Sequence, residues 1–411
     1  MRKKIFRYSG IFVLLIAAIV LLARATSPDP KLNPASFESE PLVQAIAPLD
    51  EAITLAQYKT ESGETVTMQI LAFTGETATG VDLAELGAAP GDDPFEALAS
   101  AKAAPVTEKS IDRYPAITVA IADLLPSGTS GLQHIGTGTN FPEHAEESNS
   151  QSVFQFPKFG PATPARTEIT ARAGILLDYE VEQCMRFDRD ISSLADFDAA
   201  VKGVFLCGDF TNRNALVNLA DPDNLDSGFG FSDAKSGPDS YPTGPFLVIP
   251  KHWEAFTAKL RMTTSVNGQP RQDARGKEMT LNFRQLVEKA LSDMSEPRFL
   301  YKDAFHLLAK DNRIDTSSTL MSGTAEGVIF TPPTRRDIID GMFHYVSQGG
   351  PFSHMTMLDA IRSKFIENEV KSGHFLQPGD IVRHGSNLMG DIAVTVVAPT
   401  GVQFNPRSSP E

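Results

Sequence analysis

The sequence of 411 residues has little cysteine, a single tryptophan and no excess of positive charge. Its two cysteines, Cys184 and Cys207, are too few for a disulfide scaffold or a structural zinc site. With 37 basic against 51 acidic residues the formal net charge is −14, so the chain lacks the basic surface of a nucleic-acid-binding protein. No Gly-x-Ser-x-Gly elbow is present, which leaves a serine hydrolase without its nucleophile signature.

Long apolar runs are also scarce, and the most prominent one lies at the N-terminus. Residues 11–23 are apolar and follow a basic flank that includes Arg2, Lys3, Lys4 and Arg7. This run is shorter than the roughly 20 residues that span a bilayer and fits a signal-peptide core. We therefore predict that residues 1–25 are a cleaved signal peptide or an uncleaved anchor that contacts the membrane, with the body exported to the periplasm or outside the cell.

The rest of the chain divides by composition into segments. The proline-rich residues 26–50 indicate a tether, residues 51–116 a small β-rich unit with a linker, and residues 117–411 the main domain. Apolar strand patterns separated by Gly and Pro turns predict an α+β fold that is mostly β. Two amphipathic helix patterns in residues 334–372 predict a helical insertion. It is either a lid or partner surface, or a helical hairpin packed on the body.

An acidic strand pattern gives the clearest chemical signal. Side chains alternate between the two faces of a strand, so Glu180 and Glu182 lie side by side on a face opposite to Tyr179 and Val181. Two adjacent carboxylates repel each other unless a cation lies between them. Carboxylate oxygens suit Mg²⁺, with Mn²⁺ or Ca²⁺ as alternatives. A solvated acidic face is the other interpretation of the pattern.

A third carboxylate follows soon after. Asp209 ends the apolar strand pattern of residues 204–207 and is a candidate third metal ligand. Arg213, four residues later, could pair with Asp209 or with a carboxylate of the substrate. An Asp helix cap beside a surface Arg would give the same pattern.

A histidine and a glutamate form a third candidate group. His144 and Glu147 lie three residues apart, so on a helical turn they share a face. A carboxylate beside an imidazole orients the ring and raises its basicity, which makes a general base able to activate water. A capped surface helix remains the alternative.

The order of these segments resembles that of the fumarylacetoacetate hydrolase family over roughly residues 117–400. That family carries a Gly-Leu-Asn-Tyr segment with a His and a Glu, then Glu-x-Glu, then Asn-Asp-Val-Ser-Ala-Arg-Asp. It continues with a Lys before Pro-x-Gly-Pro, a Thr-Gly-Thr-Pro-x-Gly-Val loop and a Leu-x-Pro-Gly-Asp turn. The matching segments here are 138–147, 180–182, 208–214, Lys235 with 242–245, 322–328 and 376–380.

The resemblance implies a mixed β-sandwich roll, usually a homodimer, that binds Mg²⁺ through Glu180, Glu182 and Asp209. It implies a hydrolase that cleaves a carbon–carbon bond in an acylpyruvate or 1,3-diketone type of 2-oxo acid. The matched His144 and Glu147 would activate water, and Lys235 would supply positive charge. The matched substrate-binding residues are Arg213, Gly323 and Thr324.

The sequence departs from the family pattern at several places. Asn214 stands where an Asp is usual, and Leu216 where some hydrolases carry a Gln; the insertion at 334–372 is also longer than usual. An isomerase, hydratase or decarboxylase that uses the same metal site is therefore one alternative. A non-catalytic binding module of the same fold is another.

The two cysteines flank the predicted ligands. Cys184 lies two residues after Glu182, and Cys207 two residues before Asp209. If the two strands pair antiparallel with Glu182 opposite Asp209, the cysteines meet on one face. They would then form either a disulfide or a pair of buried thiols.

Overall fold

The computed structural model describes residues 14–15, 17–28, 32–150, 152–221 and 223–399. In chain order the strands β1 to β19 run over Ala52–Lys59, Thr65–Phe73, Thr77–Asp82, Ile117–Ala120, Gln133–Gly138, Phe154–Phe159, Arg166–Thr170, Leu177–Asp178, Val181–Phe187, Lys202–Gly208, Thr211–Asn212, Leu247–Pro250, Arg261–Val266, Gln269–Arg275, Phe299–Tyr301, Ala304–His306, Leu320–Met321, Ile381–Ser386 and Asp391–Val397. The helices α1 to α9 run over Pro94–Ser100, Pro142–Glu147, Leu194–Ala199, Arg213–Leu219, Phe231–Lys235, Trp253–Lys259, Phe283–Ser292, Arg335–Ser347 and Met357–Ser372.

Two large sheets form the body. The ten-stranded sheet has the order β4-β3-β2-β1-β12-β10-β9-β17-β5-β6, and the five-stranded sheet has the order β14-β13-β18-β19-β7. Pairing is antiparallel except where β17 meets β5 and β19 meets β7. Strands β9 and β10 of the first sheet contact β13, β18 and β19 of the second, and apolar side chains such as Met185, Val204, Met262 and Val394 are buried in one core cluster. The predicted α+β class is confirmed.

The N-terminal strands belong to the same large sheet. Strand β1 pairs with β2 on one side and with β12 on the other, where Leu55 lies opposite Leu247. The middle of β2 is buried on both faces, since the polar Thr67 and Gln69 are buried as well as the apolar Met68 and Ile70. Hydrogen bonds thus join the predicted N-terminal unit to β12 of the predicted main domain. The boundary between these two units at residue 116 stays a prediction.

The proline-rich segment lies along the body. Asn33 donates to the carbonyl oxygens of Val328 and Phe330, and Ile46 forms a β-bridge with Met389. Ala47 is completely buried. These contacts attach the segment to residues 328–330 and to the turn between β18 and β19 of the five-stranded sheet.

The predicted helical insertion forms two antiparallel helices, α8 and α9, which we call the helical hairpin (residues 335–372). Each helix begins with a capping box, Thr334 with Asp337 and Thr356 with Asp359. Phe365 of α9 packs against the body in a small apolar cluster. The hairpin thus packs on the body mainly through α9.

The two cysteines form a disulfide with a Cα–Cα distance of 6.0 Å. The register differs from the assumed one by two residues, since Glu182 lies opposite Cys207 rather than Asp209. Cys184 and Cys207 are therefore diagonal neighbours on one face of the β9–β10 pair, which is close enough for a disulfide.

The prediction of an exported protein with a membrane-contacting N-terminal segment is wrong. Across the described parts of the chain, no helix combines the length and the apolar character needed to cross a membrane. Residues 1–13 and 16 of the predicted segment lie outside the described residues. Within the described part, residues 17–25 are helical and Arg24 forms an ion pair with Asp340 of α8. The homodimer stays a prediction.

Candidate metal centre and active site

Three carboxylates meet at the junction of β9 and β10. The expected continuous strand is interrupted at Tyr179 and Glu180, between β8 and β9, and the Asp209 N–H donates to the Glu180 carbonyl at 2.9 Å. One carboxylate oxygen each of Glu180, Glu182 and Asp209 lies within 4.8 Å of the others. All three side chains are buried, so they do not form a solvated acidic face.

Buried cations surround two of these carboxylates. Lys235 Nζ donates to Glu180 Oε2 at 2.6 Å and to Asp209 Oδ2 at 2.9 Å, and Arg213 donates to Glu180 Oε1 at 2.8 Å. Burial acts to raise the pKa of Glu180, but Lys235 and Arg213 outweigh it and hold that pKa at about 2. Burial likewise opposes the charge on Lys235, yet Asp209 and Glu180 raise its pKa. These groups stay charged because they are paired.

Glu182 differs from its neighbours. Its Oε2 accepts the Gly323 N–H at 2.7 Å, while its buried Oε1 has no hydrogen-bond partner among the described residues. Burial, then Asp209 and Glu180, raise the pKa of Glu182 well above its usual value. An unpartnered buried oxygen beside two more carboxylates is the environment that a hard divalent cation would satisfy. The residues present therefore fit a divalent metal ion.

Lys158 is a member of this centre that sequence analysis missed. Its Nζ is fully buried and donates to Asp209 Oδ1 at 2.7 Å, and it also contacts the carbonyl oxygen of Lys235. Burial lowers its pKa against the opposing effect of Asp209. A single lysine within the apolar strand Phe154–Phe159 was the available signal, since a lysine is rarely buried without a partner.

Asp178 is a second missed residue. It accepts from Arg213 Nε at 2.8 Å and from the backbone N–H groups of Ile329 and Phe330 at 3.0 Å. It therefore holds both the guanidinium and the loop after residue 327. Its position on the same predicted face as Glu180 was the signal for it.

His144 and Glu147 form the predicted dyad on the short helix α2. His144 Nδ1 lies 2.7 Å from Glu147 Oε2, and Glu147 Oε1 accepts the Gly327 N–H at 3.2 Å. Burial raises the pKa of Glu147 against the opposing effect of His144. With Nδ1 donating to Glu147, the Nε2 atom of a neutral imidazole is an acceptor.

The loop of residues 322–328 supplies the predicted substrate-binding groups. Gly323 has a φ of 80°, a left-handed conformation that favours glycine, and its N–H is used by Glu182. The Thr324 hydroxyl donates to the Val181 carbonyl at 2.9 Å and accepts from Gln272 Nε2 at 2.9 Å. The loop is thus fixed against the strand that carries Glu182.

A cavity of about 270 Å³ opens beside the centre. Five of the predicted site residues line it: His144, Glu180, Arg213, Lys235 and Thr324. Of the other four, Glu147 pairs with His144 and Asp209 pairs with Lys235. Glu182 accepts from Gly323, which directly precedes Thr324 in the chain. The structure thus gathers all nine predicted residues around one cavity.

The sequence matches a known family over most of this region. The family model described as fumarylacetoacetate (FAA) hydrolase C-terminal matches residues 133–397, which is more than half of the chain. The chain belongs to the fumarylacetoacetate hydrolase family. The resemblance noted in the ordered segments is thereby confirmed. No curated protein matches the sequence.

Solved structures show the family fold. A fumarylacetoacetate hydrolase from psychrophilic Exiguobacterium antarcticum has a TM-score of 0.52 at 16% identity, over 84% of this chain and 100% of that one. A 2-hydroxyhepta-2,4-diene-1,7-dioate isomerase from Mycobacterium marinum has a TM-score of 0.49 at 15% identity, over 85% of this chain and 99% of that one. A 5-carboxymethyl-2-hydroxymuconate delta-isomerase from Mycobacterium smegmatis has a TM-score of 0.47 at 16% identity, over 84% of this chain and 99% of that one. The predicted mixed β-sandwich roll of the fumarylacetoacetate hydrolase type is confirmed.

Proposed function

We propose that this protein is a hydrolase that uses a divalent metal ion, with Mg²⁺ as the first candidate, to cleave a carbon–carbon bond in an acylpyruvate type of 2-oxo acid. The single observation that carries the proposal is the buried group Glu180, Glu182 and Asp209 beside the His144–Glu147 pair. Family membership supports the same reaction class.

The residues divide into a binding set and a proton-transfer set. Glu180, Glu182 and Asp209 would hold the ion, which supplies Lewis-acid stabilisation of charge on the substrate oxygens. Lys235 and Arg213 line the cavity and are both cationic, so they favour a substrate carboxylate or a developing oxyanion. Thr324 presents its side chain at the same wall.

The His144–Glu147 pair would act on water. His144 Nε2 accepts a proton from water, while Glu147 holds the Nδ1–H and stabilises the charge on the ring. The water oxygen bonds to the acyl carbonyl carbon, and the bond from that carbon to the CH₂ of the pyruvate half breaks. Its electron pair leaves as an enolate, which takes up a proton to give pyruvate. The other product is the carboxylic acid of the acyl group.

One observation favours a second candidate function. Leu216 lines the cavity at the position where some hydrolases of the family carry a Gln. An apolar side chain there offers no hydrogen bond to water, which suits an isomerase or decarboxylase that uses the same carboxylates. The reaction products separate these candidates from the hydrolase.

Turnover of a small panel tests the proposal. The purified protein is incubated with acetylpyruvate and related 2-oxo acids, with Mg²⁺ or with a chelator, and products are identified by NMR. We expect pyruvate and acetate to form only with the metal. Release of carbon dioxide or a rearranged acid would favour the second candidate. A metal-loaded protein that consumes none of the panel would contradict both.

A pair of neighbouring variants tests the role of the dyad. Glu147→Gln removes the charge that orients His144, and we expect kcat to fall by about 100-fold. Glu146→Gln changes an exposed residue next to it on α2 and should leave kcat unchanged. Equal effects of the two variants would remove the dyad from the mechanism.

A further inference from the structure

The helical hairpin forms part of the cavity wall. Leu358, Ile361 and Arg362, all from the first two turns of α9, line the same cavity as His144 and Lys235. The hairpin lies more than a hundred residues from the metal ligands in sequence. Its packing on the body therefore completes the cavity.

Two contacts from one face of α9 fix the hairpin in this position. Arg362 donates to the carbonyl oxygen of Ala220, at the C-terminal end of α4, with a distance of 3.4 Å. Phe365 is buried and packs edge-on against Phe330, with ring centroids 6.1 Å apart. The hairpin is thus held as a wall beside the loop that Asp178 anchors.

The close crossing of α8 and α9 sets the position of Ile361. A Cβ atom at Gly341 would lie 2.5 Å from the Ile361 Cα, so the two helices approach closely only because residue 341 is a glycine. Ile361 therefore has one side against α8 and the other on the cavity.

The cavity lining combines two chemically different groups of side chains. One group consists of the charged and polar side chains named above, to which the hairpin adds Arg362. The other group is apolar and consists of Phe154, Leu216, Val217, Phe231, Phe330 and Pro333 together with Leu358 and Ile361. Leu358 lines the cavity and is 50% exposed, although its side chain is apolar.

We propose that the apolar part of this lining is a subsite for an apolar acyl group of the substrate, and that Leu358 and Ile361 of the hairpin determine this specificity. The inference rests on the proposed function, in which the charged and polar side chains bind the 2-oxo acid head of the substrate. The acyl group that extends from that head must then meet the apolar wall. A cavity of about 270 Å³ accommodates a head of this kind with one ring or a short alkyl chain.

Binding measurements test this inference without requiring turnover. The probes are pyruvate, which has only the head, and 2-oxo-4-phenylbutanoate, which adds a phenyl group and has no 4-oxo group to be cleaved. Each is titrated calorimetrically into the Mg²⁺-loaded protein. We expect the phenyl compound to bind about tenfold more tightly than pyruvate, because its ring is removed from water.

Two matched variants locate the effect. Leu358→Ala should weaken binding of the phenyl compound by about fivefold and leave pyruvate binding unchanged. Met357→Ala is the control, because Met357 is the preceding residue, is 48% exposed, and does not line the cavity. It should change neither affinity. Ile361→Ala repeats the test at the partly buried lining residue that packs against α8.

The outcomes separate this inference from the proposed function. Acetylpyruvate turnover combined with equal binding of pyruvate and the phenyl compound would overturn the inference alone. Equal losses in Leu358→Ala and Met357→Ala would do the same. If neither probe binds the metal-loaded protein and no acylpyruvate is consumed, the proposed function fails and takes the subsite with it.

Discussion

The carboxylate centre and the helical hairpin expose their side chains in opposite ways. At the centre Lys158, Asp209 and Lys235 are buried and each is paired with an opposite charge. On the hairpin Val346 is 70% exposed and Phe352 is 98% exposed, although both are apolar. The geometry of the centre therefore depends on every lysine and carboxylate that takes part in these buried ion pairs. The outer face of the hairpin can change without disturbing the rest of the chain.

The largest effect is expected from Lys158→Met. This variant leaves Asp209 with one ammonium partner instead of two and removes a donor from the Lys235 carbonyl. We expect the free energy of unfolding to fall by about 3–5 kcal/mol, as for other broken buried pairs. Urea denaturation measures it. Lys202→Met is the matched control, since Lys202 Nζ donates only to carbonyl oxygens, and its loss should cost about 1 kcal/mol.

The hairpin itself offers the next comparison. Phe365→Ala removes the buried ring that contacts Phe330 and should cost about 3–4 kcal/mol. Phe352→Ala removes an exposed ring from the same hairpin and should change stability by less than about 0.5 kcal/mol. Thermal unfolding of both variants measures these two stability changes. Similar losses would mean that the outer face is covered in solution.

Reduction of the disulfide should destabilise the strands that carry the ligands. Cys184 and Cys207 are 23 residues apart, and closing a loop of that length contributes about 3 kcal/mol. Urea midpoints with and without dithiothreitol measure this contribution. In the double variant Cys184→Ser with Cys207→Ser the reductant should have no effect, because these are the only two cysteines.

A further comparison concerns acid stability. Burial lowers the pKa of His134 to about 4, below its unfolded value of about 6.5. The unfolded chain then binds more protons, so stability is full above pH 6.5 and falls by about 1.4 kcal/mol per pH unit between pH 6.5 and 4. His134→Gln should make this fall shallower, and His384 should contribute a second part because burial lowers its pKa to about 3. His252→Gln, which replaces an exposed histidine, is the comparison variant.

Sequence patterns located the candidate site better than they described its interior. Strand alternation predicts Glu180 and Glu182 on one face, and the two carboxylates do meet, although the strand is interrupted at Glu180. The order of the matching segments identifies Asp209 and His144. The pairing of Lys158 with Asp209 joins residues 51 positions apart and depends on how the sheet folds. No local pattern encodes such a pairing.

The fold shows the same limit. The α+β class and the hairpin helices follow from periodicity, which acts over a few turns. The short helices Arg213–Leu219 and Phe231–Lys235 were not predicted, since five to seven residues give too little periodicity. The strand register also differed from the assumed one by two residues, because register is set by packing across strands.

Direct metal binding tests the central claim. Mn²⁺ is titrated into the metal-free protein and followed by electron paramagnetic resonance, with Glu182→Gln and the exposed Glu143→Gln as paired variants. We expect one ion per chain in the wild type and in Glu143→Gln. We expect at least a tenfold loss of affinity in Glu182→Gln, because Glu182 is one of the three clustered carboxylates and its Oε1 has no hydrogen-bond partner among the described residues. Absence of binding in the wild type, or equal binding in both variants, would contradict the account.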